Sequence, residues 1–582
     1  MPPMSAGKHD LLDLYEWCAE FNEAREPIQG YNQAYIRPLT DYKGDTDDIT
    51  LFTDADEDLG QMPNLEANTI LDFCRNVRTL DAFNKSPSKK LVAVVHESDS
   101  TGRTRGSNRP LTATQLHETL LIPHGTMHGG NGTESPSNNN STENIPNAER
   151  RLVFVVNLDE SAVWALATTA SPIEVRAIRS FISDHIEWKA SLNVNIPIKL
   201  PRTFEMSFHL PFYVIRDSSK GGPFHDISKL RHSPSIDFMR ETFQADTGPS
   251  LSEYLYQVEA SCLVTGQDSH IWSAYTIIDS CSEYEDGGVL EDYQSQKDEM
   301  GSLHDMLDPV TGKPLAWPSM TPRELFLGVL HVRSEQAGRE WCNTVSRILA
   351  RYHSVKNSFD KNLALSWAAT EGYDHRKDVR DREKAYFLWA ISVTKLLEML
   401  KDCLDECTCA WDMFTAGDLR YFFAPGKDYD MTPTQNHRMV AITKSFNQMA
   451  MLSRKLHTVN VGLKNTMNEL GHHLAYENNE SAILQMATAK DVKILTWVTF
   501  HSLPFMLVAG FMSTREEILP LPETPATLIV SLVVIEAVLW IMLDRFANGK
   551  YIAIVRGTVD ACFHWVRCAI HCKDNSESSE PA

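Results

Sequence analysis

The chain has 582 residues, of which 55 are Lys or Arg and 77 are Asp or Glu, and its formal net charge at pH 7 is −22. Apolar residues make up 42% of the sequence, which is enough for a sizeable buried core and excludes a collagen-like, wholly disordered or disulfide-dense secreted protein. Such an acidic chain is not typical of nucleic-acid-binding proteins, because phosphate recognition needs a basic surface.

The N-terminal segment, residues 1–60, does not resemble a secretion signal. Asp10, Asp13 and Glu16 stand where a signal peptide would be apolar. The eleven cysteines of the whole chain are sparse and irregularly placed, which is typical of reduced thiols rather than of a disulfide framework. We therefore expect a cytosolic segment without a cleaved signal peptide.

An α/β domain is predicted over residues 61–300. Short runs rich in β-branched and aromatic residues indicate strands, and one helical stretch lies among them; the strands are 91–95, 152–158, 204–215 and 271–278, and the helix is 173–189. Residues 101–149 are rich in Gly, Ser, Asn and Thr, which predicts a disordered insertion because such a segment cannot bury enough apolar surface to order.

The α/β domain ends in an acidic run. Its carboxylates are Asp279, Glu283, Glu285, Asp286, Glu291, Asp292, Asp298 and Glu299. A solvated loop explains such a run without any ligand. A weak divalent-cation site is the functional alternative, because hard cations prefer carboxylate oxygens.

A helical region is predicted over residues 321–420. Thr321 as N-cap, Pro322 at the first helical position and Glu324 soon after form a helix start signal, and apolar helical periodicity continues to about Leu404. Near its end lie Cys403, Cys407 and Cys409, whose spacing is not that of a C-x-x-C motif. We expect them to be buried free thiols.

A very long helix begins at the next start signal, Thr432 followed by Pro433. Apolar residues then recur in steps of three and four, at Ile442, Phe446, Met449, Leu452, Leu456, Val459, Leu463, Met467, Leu470 and Leu474. Residues 433–512 would form a continuous helix of 80 residues, which is about 120 Å long. Because such a helix stays ordered only when it packs against neighbours, residues 433–491 are predicted to be a coiled-coil stalk in an oligomer.

Two apolar runs follow and predict a transmembrane hairpin. Residues 492–512 contain only Lys493 and His501 as ionisable groups, and residues 526–543 contain only Glu536. Each is long enough to cross a hydrocarbon core of about 30 Å. Basic residues outnumber acidic ones after the second run, which predicts that both termini are cytosolic and that the loop 513–525 is extracytosolic.

The last predicted element is an amphipathic helix over residues 551–572, lying at the membrane surface. Its cysteines, Cys562, Cys568 and Cys572, are expected by default to pack at that surface. The alternatives are palmitoylation and metal ligation together with His564 and His571, although the spacing matches no strong zinc signature.

This order of elements resembles the CorA-type magnesium transporters. In that family the first membrane helix typically reads Lys-x-Leu-Thr, then Pro, then Ala-Gly, and the matching residues here are Lys493, Leu495, Thr496, Pro504, Ala509 and Gly510. Residues 269–280 and 317–341 also look like the divergent fungal CorA-like branch. The resemblance implies a homopentamer with a funnel-shaped cytosolic domain, in which the first membrane helix lines the pore.

The resemblance also implies the site residues. The pore-lining positions are Leu495, Leu503, Met506 and Gly510. The family holds its hydrated cation with a Gly-Met-Asn motif, and Ser513, Thr514 and Arg515 stand at those positions here. Five copies of Arg515 would repel a divalent cation, whereas the loop acids Glu516, Glu517 and Glu523 would concentrate cations. Glu536 is the intramembrane acid and a functional candidate.

The sequence therefore predicts an α+β cytosolic domain followed by a long stalk helix and a two-helix C-terminal transmembrane hairpin. The predicted function is passive conduction of Mg²⁺ or a related divalent cation, with no resident cofactor; the alternative is a non-conducting, membrane-anchored scaffold or sensor that has lost the selectivity motif. No motif of an enzyme is present. The expected partners are copies of the chain, the lipid bilayer and divalent cations, in the plasma or vacuolar membrane rather than a mitochondrial one.

Overall fold

The computed structural model of the chain describes a defined set of residues: 17–26, 28, 33–36, 47–54, 64–85, 89–99, 104–105, 109–122, 148–197, 202–218, 230–239, 252–280, 320–368, 373–423 and 432–512. They fall into two compact units, one within Met1–Leu470 and the other within Gly471–Ala582.

The first unit contains a mixed eight-stranded sheet. Its strands are β1 (Leu91–Ser98), β2 (Thr104–Arg105), β3 (Leu111–Thr112), β4 (Arg150–Val156), β5 (Ser191–Asn195), β6 (Phe204–Ser218), β7 (Ser252–Gly266) and β8 (Trp272–Ile278). They lie in the order β2-β1-β4-β8-β7-β6-β5, and β3 also pairs with β1. The pair β4 and β8 is parallel, and the other pairs are antiparallel. The predicted strand runs thus lie in β1, β4, β6 and β8.

The described helices are α1 (Asp48–Thr53), α2 (Asn64–Phe73), α3 (Leu80–Lys85), α4 (Ala113–Leu120), α5 (Glu160–Thr169), α6 (Val175–Glu187), α7 (Pro322–Ala368), α8 (Tyr373–Ala416) and α9 (Pro433–Met512). Helix α4 lies inside the stretch predicted as a disordered insertion, and a reciprocal capping box between Thr112 and Gln115 fixes its start. The predicted helical stretch 173–189 corresponds to α6.

Helices cover both faces of the sheet and build two large hydrophobic clusters. On one face α5 is buried over most of its length, and its Trp164 stacks on Phe83 of α3 at 4.2 Å between ring centroids. On the other face α7 crosses β6, where Phe326 meets Phe208 edge to face at 5.7 Å. The described part of the sheet therefore has helices packed on both of its faces.

The two long helices begin where the sequence predicts. Thr321 caps α7, because its hydroxyl accepts from the backbone N–H of Glu324 and the Glu324 carboxylate accepts from the N–H of Thr321. Thr432 and Gln435 form the same box at the start of α9. Helix α9 is continuous over the predicted 80 residues. In the first unit it packs on α8, with Phe446 stacked on Trp411 at 4.6 Å.

The structure contradicts the predicted transmembrane hairpin. Among the helices it describes, none is sufficiently long and apolar to cross a membrane. This finding contradicts the predicted two-helix hairpin and the predicted two-span membrane localisation. Residues 492–512 form the end of α9, where polar side chains including Lys493, Thr496 and Thr499 interrupt the apolar run. The predicted loop 513–525, the second span 526–543 and the surface helix 551–572 lie outside the described residues.

Candidate functional site

A buried group of polar side chains lies between α6 and the strands β6 and β7. We call it the polar centre; it consists of His185, His209, Arg231, Glu259, Ser261 and Asp279. Its two histidines, Glu259 and Ser261 are fully buried. Among the described residues, His185, His209 and Glu259 form a group that could hold a metal ion.

Strand register brings three of these side chains together. His209 of β6 and Ser261 of β7 are directly paired in the ladder, and Glu259 lies two residues before Ser261. Residues two apart in a strand point to the same face. His209, Ser261 and Glu259 therefore all point towards α6, which supplies His185 from its last turn.

The end of α6 is fixed by Trp188. This residue adopts a left-handed backbone with φ 57° and ψ 48°, a conformation that is uncommon for a bulky side chain. Its indole Nε1 donates a hydrogen bond to the carbonyl oxygen of Val258 at 3.2 Å. This bond ties the helix end to β7 and sets the position of His185 over the strand.

The inner atoms of the polar centre lie within hydrogen-bonding distance of one another. Ser261 Oγ is 2.8 Å from His185 Nδ1, 2.9 Å from His209 Nδ1 and 3.1 Å from Glu259 Oε1. Glu259 Oε1 is in turn 3.0 Å from His209 Nδ1 and 3.8 Å from His185 Nδ1. The other ring nitrogen of His209 has no polar partner among the described residues.

Arg231 and Asp279 flank these inner atoms. Arg231 Nε donates to Asp279 Oδ2 at 2.6 Å, and Arg231 Nη2 donates to Glu259 Oε2 at 3.0 Å and to the carbonyl oxygen of His185 at 2.8 Å. The backbone N–H of Glu259 also donates to Asp279 Oδ2, at 2.9 Å. A buried guanidinium is thus held by two carboxylates, which is the arrangement that a desolvated charge requires.

Burial dominates the protonation of the polar centre. It lowers the pKa of His209 to about 4 and raises the pKa of Glu259 to about 7, because each group loses hydration of its charged form. Burial acts on Asp279 in the raising direction as well, but Arg231 and His185 outweigh it and lower the pKa of that carboxyl to about 2. At neutral pH the Arg231–Asp279 pair is therefore ionised, and His209 is neutral.

Chemically, this arrangement can hold a proton network or a small cation. Two imidazole nitrogens and a carboxylate oxygen, which are ligand types that zinc and other transition metals accept, converge there with the Ser261 hydroxyl. Because the inner side chains are fully buried, they are not placed to act on a substrate from solution.

A second feature, a surface cleft of about 700 Å³, lies between the end of α6, β6 and α8. Carboxylates of Glu187, Glu398, Asp402 and Glu406 line it together with the ammonium groups of Lys189 and Lys395. Tyr213 forms part of the wall, and burial raises its pKa to about 12. The mixed charges give this cleft no clear preference for a ligand.

The site residues predicted from the sequence lie on α9 or outside the described residues. Leu495 and Met506 have exposed side chains, Gly510 is also exposed, and Leu503 lies on the same helix. They occupy successive turns of one helix and are not gathered into a single site. Outside the described residues are Ser513, Thr514, Arg515, Glu516, Glu517, Glu523, Glu536 and the cysteines Cys562, Cys568 and Cys572.

The same part of α9 carries an exposed apolar stripe. Every residue from 482 to 496 is exposed. The stripe is formed by Tyr476, Ile483, Leu484, Ala487, Ile494 and Leu495, whose side chains project within about a third of the helix circumference at 100° per residue. Leu484 is 61% exposed and Leu495 is 67% exposed.

Sequence reasoning did not find the polar centre. Of its members, only Asp279 was singled out, as the first residue of the acidic run, and the structure buries it instead of leaving it in a solvated loop. A usable signal was present: β7 alternates Glu253, Gln257, Glu259 and Ser261 with apolar residues over its length. Alternation of this kind marks a strand with one polar face.

The described cysteines of the helical region differ in burial. Cys403 and Cys407 are buried free thiols, as expected, whereas Cys409 is exposed. Both buried sulfurs lie close to the carbonyl oxygen of Pro211, at 3.7 and 3.4 Å.

Comparisons with known proteins give no further assignment. No known protein-family model matches this chain, and no curated protein matches it.

Proposed function

We propose that the chain is a self-assembling scaffold or sensor whose copies associate through the apolar stripe of α9. The observation that carries the proposal is the exposure of Ile483, Leu484, Ile494 and Leu495 on a helix that continues to Met512. Conduction through a two-span pore is not part of this proposal, because it depends on the transmembrane hairpin that the structure contradicts.

The first part of α9 shows how this helix is stabilised when it has a partner. Most of its buried positions repeat every seven residues in two series, which are Met439, Phe446, Ser453 and Asn460, and Ile442, Met449, Leu456, Leu463 and Leu470. Such a heptad repeat is typical of helices that pack side by side. The first unit supplies that partner as α8, which contacts α9 through Trp411.

The stripe in the second unit has the same kind of spacing without a described partner. Tyr476, Ile483, Ala487 and Ile494 follow one another in steps of seven, four and seven. Burying one leucine side chain stabilises by about 1.5–3 kcal/mol when it starts fully exposed, so burial of Leu484 and Leu495 is a substantial driving force. A helix that is exposed all round has no such support, because most helical stability in proteins comes from packing.

A second copy of the chain is the occupant that fits this surface. The stripe from Tyr476 to Leu495 covers 20 residues, about 30 Å of helix, and needs a partner helix of comparable length. Helix α9 is itself such a partner, since each copy brings the same stripe. Soluble oligomers are most often closed assemblies of identical chains, which supports assembly around a shared axis.

The test measures the mass of the full chain by sedimentation velocity at micromolar concentration. We expect a defined oligomer for the wild type and a monomer for the double variant Leu484→Asp/Leu495→Asp. The matched control is Ala482→Asp/Ala489→Asp, which adds the same two charges to exposed positions on the opposite side of α9. The control is expected to keep the wild-type mass.

Two results would overturn the proposal. A monomeric wild type would show that another segment of the same chain, or nothing, covers the stripe. An unchanged mass in the double aspartate variant would show that assembly uses a different surface.

A further inference from the structure

The inner atoms of the polar centre lie at the corners of a small tetrahedron. The corners are His185 Nδ1, His209 Nδ1, Glu259 Oε1 and Ser261 Oγ, and five of the six edges measure 2.8, 2.9, 3.0, 3.1 and 3.8 Å. Four nitrogen or oxygen ligands at the usual distance from tetrahedral zinc lie about 3.3 Å from one another. The corners therefore already have nearly the separation that a metal ion at their centre requires.

The outer side chains leave two tautomers open to His185. Arg231 Nη2 donates to the carbonyl oxygen of His185 and to Glu259 Oε2, and it also hydrogen-bonds His185 Nε2 at 3.2 Å when that nitrogen carries the lone pair. In the other tautomer His185 Nε2 carries the hydrogen and faces Asp279 Oδ1 at 3.4 Å, to which it can donate.

This pairing matches a common feature of metal sites. A histidine that binds a metal usually donates its other ring N–H to a carboxylate, which fixes the tautomer. With the proton of His185 on Nε2, Nδ1 carries the lone pair and can bind a metal. Asp279 is then the residue that orients this ligand.

The tetrahedron also has fewer protons than contacts. Ser261 Oγ has three polar neighbours within 3.1 Å but only one hydrogen. Ser261 Oγ donates this hydrogen to Glu259 Oε1 at 3.1 Å, and its contacts with the two imidazole nitrogens depend on the tautomers of the histidines. A cation among these atoms would contact all four of them at once.

From these observations we propose that the polar centre is a structural zinc site with His185, His209, Glu259 and Ser261 as its ligands. Two imidazoles with one carboxylate suit zinc, whereas magnesium and calcium require six or more oxygens. With zinc bound, the ion and Arg231 carry three positive charges against the two carboxylates of Asp279 and Glu259, both of which contact the guanidinium directly. This site is independent of the assembly through α9.

Complete burial determines how such a site would behave. Since the ligands have no exposure to solvent, zinc would enter while the chain folds and would leave only when it unfolds. The ion would join the end of α6 to β6 and β7, in addition to the hydrogen bonds of Ser261 and Trp188 between these elements.

The test measures zinc in the full chain by inductively coupled plasma mass spectrometry. Protein is unfolded with a chelator, refolded with or without zinc, and dialysed against the chelator in the native state. We expect one zinc per chain after refolding with zinc, retained through dialysis, and at least a tenfold lower content in His209→Gln. The matched control is His96→Gln, which changes a buried histidine of β1 outside the polar centre and should bind zinc like the wild type.

A second measurement does not depend on a variant. Wild type refolded with cobalt should show the visible absorption bands of tetrahedral Co²⁺, and zinc should abolish them. Wild type that refolds without taking up zinc or cobalt would overturn the proposal. Equal zinc contents in the wild type and His209→Gln would also overturn it, since the metal would then lie elsewhere.

Discussion

The two faces of β6 and β7 achieve the same burial in different ways. Phe208 and His209 are neighbours in β6, and both are fully buried. Phe208 packs within a hydrophobic cluster and meets Phe326 of α7. His209 lies 3.0 Å from Glu259 Oε1 and 2.9 Å from Ser261 Oγ. An apolar face needs only the right volume, whereas a buried polar face must satisfy every donor and acceptor.

The largest effect is expected on the apolar face. Phe208→Ala removes a fully buried ring and leaves a cavity under α7, and such changes reduce the free energy of unfolding by about 3–5 kcal/mol. Urea denaturation of the full chain measures this loss. The control, Met413→Ala, changes a side chain that is 70% exposed, and a similar loss there would contradict the interpretation.

A smaller loss is expected on the polar face. Ser261→Ala removes the hydroxyl that contacts both His185 Nδ1 and His209 Nδ1. Leaving buried polar groups without a partner reduces the free energy of unfolding by about 1–3 kcal/mol. The same denaturation experiment compares it with Ser392→Ala, an exposed serine of α8. Equal stability of the two variants would mean that the polar centre does not depend on Ser261.

Sequence patterns predicted the positions of strands and helices better than they predicted which of these elements pack together. The β-branched runs located β1, β4, β6 and β8, and the Thr-Pro pair with apolar steps of three and four located all of α9. The polar centre was not predictable in this way, because its members are distant in the chain: strand register brings His209 and Glu259 together, and the packing of α6 on the sheet adds His185. Residues 492–512 were predicted to span a membrane because their composition is largely apolar. That prediction took no account of the polar side chains within the run.

Glu205 provides a pH test of the polar face. It lies in β6 four residues before His209, and burial raises its pKa above the ordinary value of 4.5, although Asn195 Nδ2 donates to it at 2.9 Å. The native chain therefore keeps this proton at pH values where the unfolded chain has lost it. The free energy of unfolding should fall as pH rises through the raised pKa.

Glu205→Gln should lack this fall, because glutamine does not titrate. Urea denaturation of both proteins at several pH values measures the difference, which should move in favour of the variant as pH increases. Parallel pH profiles for the two proteins would show that Glu205 ionises as freely in the folded chain as in the unfolded one.

The smallest effect on the free energy of unfolding is expected for an ion pair at the protein surface. Lys464 of α9 lies 2.6 Å from Glu398 of α8, but both side chains are about half exposed. Solvent screening limits such a pair to about 0.2–1 kcal/mol. A double-mutant cycle with Lys464→Met and Glu398→Gln measures the coupling, which should shrink further in high salt. A coupling as large as the loss for Phe208→Ala would contradict this ranking.

The parallel pairing of β4 with β8 has a consequence for synthesis on the ribosome. Arg150 pairs with Trp272, so 122 residues separate the two partners along the chain (272 − 150). At about 5–20 residues per second, β4 waits on the order of ten seconds for its neighbour. Throughout that interval one edge of β4 is open to pairing with another nascent chain, so a chaperone that shields it would raise the yield of folded protein.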